Sequence, residues 1–303
     1  MKGHKIDGWI ALDKPAGISS AQAVAAVKRG LDARKVGHAG TLDPLATGIL
    51  PIALGEATKT IPYLIEDAKE YRFTLRFGEE RTTDDAEGEI LRTSPVRPTD
   101  HAIGEALGHF TGDIQQVPPA YSAIKVAGKR AYSLARAGTQ PVLEARRVHI
   151  DAIALEERPE PDQAILWVRC GKGTYIRALA RDLARYLGTV GHATELRRLR
   201  VGPFTEALAI SLDKLEQGGH SAGASHLLPV ATALDDIPAL ALTGNEADRL
   251  RSGQTLGFFN RSQLGRISDL RPDMILKAME GDRLVALVRF HAGEIRPLRV
   301  LHL

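Results

Sequence analysis

The sequence predicts an α+β fold that ends in a small β-rich unit, and three observations predict it. Over residues 71–77 (YRFTLRF) aromatic or apolar residues alternate with polar ones, the period-2 pattern of a half-buried strand. Ile176, Leu179, Ala180, Leu183 and Leu187 recur at i, i+3, i+4, i+7 and i+11, which places one buried stripe on a helix. Beyond about Asp236 the pattern changes to short apolar runs at 275–277, 284–290 and 295–303. A chain of 303 residues suffices for one large domain or a large domain with a small one. The expected division is 1–236 and 237–303.

In chain order, residues 8–13 (GWIALD) read as a short strand. Ser19 stands three residues before Gln22, a capping-box spacing, and Val24, Val27 and Leu31 follow at helical intervals. A helix is therefore expected from about Ser20 to Leu31. The strand 71–77 is followed at 79–89 by six carboxylates and one arginine, read as a solvated acidic turn that phosphate would repel. A helix is expected within 98–110. Residues 116–124 (QVPPAYSAI) read as loop or extended chain, because Pro118-Pro119 forbids regular ladder bonding. Residues 146–155 and 164–170 read as strands. The helix beginning near Ile176 shows Arg181 and Arg185 on its polar side. Residues 218–226 (GGHSAGASH) read as a flexible loop, and 284–290 as a buried strand.

Composition excludes several classes. The chain is 44% hydrophobic and 25% charged, as in an ordinary soluble globular protein. Its single cysteine, Cys170, excludes a disulfide framework and suits a reducing cytosol. The ten histidines have no close cysteine or carboxylate spacing that reads as a metal site. The N-terminus lacks the apolar stretch of a signal peptide, and no run reaches the length of a membrane span. The net charge is only +3, yet bases cluster. Residues 177–200 hold six arginines and two acids, and 125–147 hold six bases and one acid. Two such clusters beside candidate site segments favour a surface that binds phosphate.

Residues 37–51 (GHAGTLDPLATGILP) carry the chemistry. Asp43 is the one carboxylate of this run. Pro44 removes a donor and pushes Asp43 out of the helical region, while Gly37, Gly40 and Gly48 permit unusual backbone or close approach. The run leads directly into apolar residues 49–54, so Asp43 should stand on a stiff loop at the lip of a core strand. That is a better place for a catalytic carboxylate than a free turn.

The same run resembles the signature of the TruB family of tRNA pseudouridine synthases. Four further stretches resemble that family in the same order: 12–20 (LDKPAGISS), 69–90 (KEYRFTLRFGEERTTDDAEGEI), 116–138 (QVPPAYSAIKVAGKRAYSLARAG) and 170–184 (CGKGTYIRALARDLA). The resemblance implies a mixed, largely antiparallel sheet with flanking helices, and a C-terminal PUA-like RNA-binding domain. It implies an isomerase that converts a uridine in the TΨC loop of tRNA to pseudouridine, without cofactor, metal or guide RNA. It further implies a cytosolic monomer.

Isomerising uridine requires that N1–C1′ breaks, the base turns, and C5 bonds to C1′. An aspartate can act as nucleophile at C1′ or assist departure of the base, and Asp43 is assigned the essential role in either route. A carboxylate in a dry pocket stays ionised only beside a cation, and the resemblance places Arg177 there. Arg177 and Tyr175 are expected to point the same way from extended chain. Asp85 and Arg136 are candidates to brace the arginine from behind. The target base must leave its stack and rest on an aromatic face. Tyr71 and Tyr175 are the candidates, with Tyr71 also able to move a proton. Leu196 would line the pocket floor. His38 would fill the space of the flipped base, and Lys14, Lys35 and His38 would contact RNA.

Two other classes fit the same residues. One is a non-catalytic RNA-binding or chaperone protein. The other is a hydrolase that cleaves a nucleosidic bond with Asp43 as nucleophile.

Overall fold

Alternating or continuous apolar runs nucleate the strands of the chain. The computed structural model describes residues 3–122, 124–126, 129–131, 143–257, 265 and 267–303. The first strands are β1 (Gly8–Lys14), β2 (Val36–His38), β3 (Thr47–Leu54), β4 (Lys69–Phe77), β5 (Glu79–Arg81), β6 (Ile90–Thr93) and β7 (Gly112–Gln116). Next come β8 (Lys125–Val126), β9 (Lys129–Arg130), β10 (Arg146–Glu157), β11 (Gln163–Cys170), β12 (Gly191–Val201), β13 (Phe204–Thr205) and β14 (Ala209–Ser211). The tail holds β15 (Ala239–Ala241), β16 (Leu256–Gly257), β17 (Ile275–Glu280), β18 (Arg283–His291) and β19 (Glu294–Val300). The helices are α1 (Ser20–Gly30), α2 (Ile61–Leu64), α3 (Asp100–Leu107), α4 (Ile176–Tyr186), α5 (Leu212–Ser225) and α6 (Gly244–Arg251).

Ten of the described strands form one mixed sheet in the order β14-β1-β3-β12-β4-β11-β10-β7, with β2 on β3 and β13 on β12. Only β1–β14 and β3–β12 run parallel; the other pairs are antiparallel. The fold is thus the mixed, largely antiparallel sheet with flanking helices that the family resemblance implies. On one face Ile10, Leu12, Leu50, Phe73 and Leu75 pack against α1 and α4. On the other face Trp9, Ala11, Ile49, Ala53 and Phe204 form a second core. Burial on both faces explains why β1 and β3 read as apolar runs rather than as an alternation. The expected cap on α1 is present: Ser19 Oγ accepts from Gln22 N at 3.2 Å, and Gln22 Oε1 accepts from Ser19 N at 2.8 Å.

The tail forms a second sheet in the order β15-β17-β18-β19-β16. Leu284 and Leu287 of β18 join Trp9 and Phe204 in the core behind the main sheet. Val285 and Val288 turn into the tail's own core with Leu250 and Ile295. That double burial accounts for the almost continuous apolar run of β18. Among the described residues no helix is long and apolar enough to cross a membrane.

Three expectations are corrected. Residues 218–226 are not a flexible loop: most of them belong to α5, which is broken once at Gly219 (φ 51°). Small residues serve close packing there, since a Cβ at Gly223 would stand 2.1 Å from Leu31 Cδ2 of the segment after α1. The acidic segment 79–89 is not simply solvated, because Glu80, Asp84 and Asp85 are buried. They face α4, where Arg177, Arg181 and Arg185 recur every four residues on one side. Arg177 meets Asp85 at 3.2 Å, Arg181 meets Asp84 at 2.8 Å, and Arg185 meets Glu80 at 2.7 Å. Much of the basic cluster 177–200 is consequently neutralised within the fold. Its Arg197 is likewise paired with Asp13, and Arg198 is buried. In the other cluster, 125–147, Arg146 and Arg147 are exposed on β10, while Arg136 lies outside the described residues.

Candidate active site

Asp43 stands on the loop between β2 and β3, and hydrogen bonds to the chain before it pin that loop. Ser20 Oγ donates to Leu42 O at 2.9 Å and accepts from Leu42 N at 2.8 Å. Gly17 N donates to Pro44 O at 2.8 Å, and Ala46 N closes a turn on Asp43 O at 3.1 Å. Gly40 (φ 84°) and Gly48 (φ 96°) supply the left-handed turns at either end. At Gly48 no other residue fits, because a Cβ would stand 2.2 Å from the backbone oxygen of Arg198.

The carboxylate meets Arg177 of α4, whose Nη2 is 2.8 Å from Asp43 Oδ2. Asp43 keeps 36% of its side chain open, while the Arg177 side chain keeps only 4%. Four acceptors hold that guanidinium: Asp43, Asp85, Thr83 O at 2.7 Å and Tyr121 O at 2.9 Å. Asp85 is held in turn by Thr83 Oγ1 and by Glu87 N at 3.1 Å. A planar fork with this many fixed partners has one orientation.

Asp43 and Arg177 open onto one cavity of about 270 Å³, which Tyr71, Tyr175 and Leu196 also line. Tyr71 comes from β4 and Leu196 from the neighbouring β12, each 8% exposed. Tyr175 is extended (φ −101°, ψ 111°) and caps α4. The expectation of extended chain through Arg177 is corrected, since α4 begins at Ile176. Tyr175 and Arg177 nonetheless line the same cavity. Gln116 fixes the change of direction by clasping the Tyr175 backbone, accepting from its N–H at 2.8 Å and donating to its carbonyl at 3.1 Å. Burial raises the pKa of both phenols, and the Asp43 charge adds to the rise.

The remaining candidates, Lys14, His38 and Lys35, lie outside the lining of this cavity. Lys14 is fully buried at the end of β1. Its ammonium donates to Pro15 O at 2.7 Å, Ile18 O at 2.8 Å and Pro44 O at 3.4 Å. Direct contact with RNA is therefore corrected to an internal tie between the β1 loop and the Asp43 loop. Burial lowers the Lys14 pKa to about 8, with the Asp43 charge opposing. His38 is half-buried on β2 and lies outside the cavity lining; burial and then the Arg198 charge lower its pKa. Lys35 is exposed one residue before β2 and also lies outside the lining.

Sequence reasoning missed three residues. Gln116 opens the stretch 116–124, which reads as loop or extended chain, with no role assigned to it. Lys69 and Arg198 line the cavity although both are buried. Lys69 Nζ donates to Ile65 O at 2.9 Å and Asp67 O at 2.6 Å, and burial followed by the Arg198 charge lowers its pKa. Arg198 Nε donates to Ile49 O at 2.7 Å and its Nη2 to Gly40 O at 3.0 Å. The strand alternation Leu196, Arg198 was the available signal, since it sets Arg198 on the inward side of β12. Among the described residues no three His, Cys, Asp or Glu side chains converge so as to hold a metal ion.

A half-shielded carboxylate held by a buried guanidinium, with two phenols across a small cavity, suits covalent or proton-transfer chemistry on a planar ring. Comparison with known proteins narrows the field. Residues 28–176 match the family described as TruB family pseudouridylate synthase (N terminal domain), and 177–235 match the tRNA pseudouridylate synthase B C-terminal domain. The chain is 56% identical to tRNA pseudouridine synthase B of Gluconacetobacter diazotrophicus, covering 99% of each chain. It is 52% identical to the protein of that name from Caulobacter vibrioides, covering 100% of this chain and 98% of the other. Among solved structures it is similar to an archaeal box H/ACA sRNP Nop10-Cbf5 complex, with TM-score 0.74 and 24% identity over 98% of this chain and 86% of that one. A Cbf5-Nop10-Gar1 complex gives TM-score 0.71 and 26% identity over 95% and 79%.

Proposed function

This chain belongs to the TruB family of pseudouridylate synthases, and on that premise we propose that it converts one uridine in the TΨC loop of tRNA to pseudouridine. The observation that carries the reading is the Asp43–Arg177 contact at the edge of a cavity flanked by Tyr71 and Tyr175. The flipped uridine enters that cavity and rests against Tyr71 and Leu196. Asp43, paired with Arg177, acts at C1′ as the N1–C1′ bond breaks. The base turns, C5 bonds to C1′, the C5 proton leaves, and N1 ends protonated, so atoms and charge balance without an outside reagent. Nucleophilic attack and assisted departure both need the carboxylate in this place. Asp85 keeps Arg177 aimed, and the Tyr71 hydroxyl carries the C5 proton.

The protein acts as a cytosolic monomer without a guide RNA, and residues 237–303 form a PUA-like domain that adds RNA contacts beyond the loop. Purified protein with unmodified tRNA labelled at uridine C5 tests the reading. Release of the C5 hydrogen from intact strands, with no added RNA, is the expected result. Free uracil would point to hydrolysis, and binding without release to a non-catalytic protein; either would overturn the proposal.

A further inference from the structure

Arg198 differs from the arginines around it. Arg177, Arg181, Arg185, Arg197 and Arg200 each meet a carboxylate. Arg198 is 1% exposed, and among the described residues no carboxylate oxygen lies within 4.0 Å of its guanidinium. Burying a charge without a counter-ion costs several kcal/mol, whereas a neutral amide could serve carbonyl partners without that penalty. A reason for the charged fork is therefore needed, and its contacts supply one.

The two carbonyls that Arg198 holds lie on either side of Asp43, Gly40 O in the loop before it and Ile49 O in β3 after it. The backbone of Arg198 is the pairing partner of Gly48 on the β3 side. On its other side it pairs with Tyr71 of β4. Arg198 and Tyr71 line the same cavity from these paired strands, and the Arg198 charge draws the phenol pKa down against the larger effect of burial. One rigid group thus holds the chain on both sides of Asp43 and shares the cavity with Tyr71 of the neighbouring strand.

We propose that Arg198 is the positioning residue that sets the Asp43 carboxylate against the Tyr71 phenol for isomerisation. This rests on the function proposed above. Arg198 need not touch the substrate: it fixes a spacing, and misplacement by about 1 Å can cost about 10²-fold in rate.

Two variants divide its properties. Arg198→Lys keeps the charge and loses the fork; Arg198→Gln keeps an amide donor and loses the charge. The first measurement needs no RNA. With ring-labelled tyrosine, the six tyrosines are followed by carbon NMR against pH, and Tyr71→Phe assigns the Tyr71 signal. The Tyr71 phenol is expected to titrate at higher pH in Arg198→Gln than in the wild type. The second measurement is C5-hydrogen release, where kcat is expected to fall by about 10²-fold in both variants with KM little changed. Thermal melting reports folding, and Arg198→Lys carries the rate test should Arg198→Gln fail to fold. Wild-type kcat in a folded variant, or a Tyr71 signal that does not move, would overturn the inference. Failure of the wild-type protein itself to release C5 hydrogen would instead sink the functional reading, and the Tyr71 titration would still judge the Arg198 contact.

Discussion

Arg177 has two carboxylates and two carbonyls around a planar fork, and an ammonium cannot face all four. Arg177→Lys is accordingly expected to lower kcat by about 10²-fold while leaving KM near its wild-type value, as measured by steady-state C5-hydrogen release over a range of tRNA concentrations. A variant that keeps wild-type kcat would show that charge alone suffices. Asp43 was legible because unusual local sequence, Pro and Gly, surrounds it, whereas Arg177 was placed beside it by the family resemblance. Lys14 was misread because a lysine beside a loop normally reaches water. Nothing in its neighbours reveals that its stem folds back onto the carbonyls of Pro15, Ile18 and Pro44. Arg198 was overlooked for a related reason, despite its alternation with Leu196. Its segment reads only as part of a basic cluster at a phosphate-binding surface, yet β12 lies inside the sheet and must bury every second residue.

At the scale of elements, periodicity located α1, α4 and β4 within a few residues, since each has one apolar face. It failed where partners distant in sequence decide the environment. The acidic turn and the basic helix looked like two separate solvated features; in the fold they neutralise one another along 177, 181 and 185 against 85, 84 and 80. The glycine-rich stretch became helix because its small residues fit against Leu31. The parallel contact between β3 and β12 also has an element-level consequence. Gly48 combines φ 96° with a 2.2 Å approach of its missing Cβ to the Arg198 backbone. Gly48→Ala is expected to destabilise the fold by at least about 2 kcal/mol, since backbone strain and a contact that cannot relax act together. The check is a lower urea midpoint at unchanged slope. An unshifted midpoint would mean that the strands part at no cost.

Across the whole molecule, the tail is fastened to the main sheet by apolar packing of β18 and by Lys59, whose ammonium donates to Val300 O at 2.9 Å. The change in sequence pattern near Asp236 announced the tail but could not reveal that its strand completes the core around Trp9. At that junction Asp67 has a pKa raised to about 6, first by burial and then by the charge of Asp236. The sign follows from proton binding. Between the ordinary carboxyl pKa and about 6 the folded state holds more protons than the unfolded one, so this group's stabilisation is full at low pH. It is lost as pH rises through about 6. Asp67→Asn is therefore expected to be more stable than the wild type at neutral pH, with the gain vanishing once both states are protonated. Urea midpoints across that range measure it, and a gain that persisted in acid would contradict the assignment.

The most direct measurement compares Asp43→Asn with the wild type on C5-labelled tRNA, reading hydrogen release and tRNA binding in the same samples. Asparagine keeps the shape of the side chain and removes the negative charge that Arg177 holds. Release should disappear while binding stays near the wild-type level. Continued release by the folded variant would show that the chemistry lies with some other group.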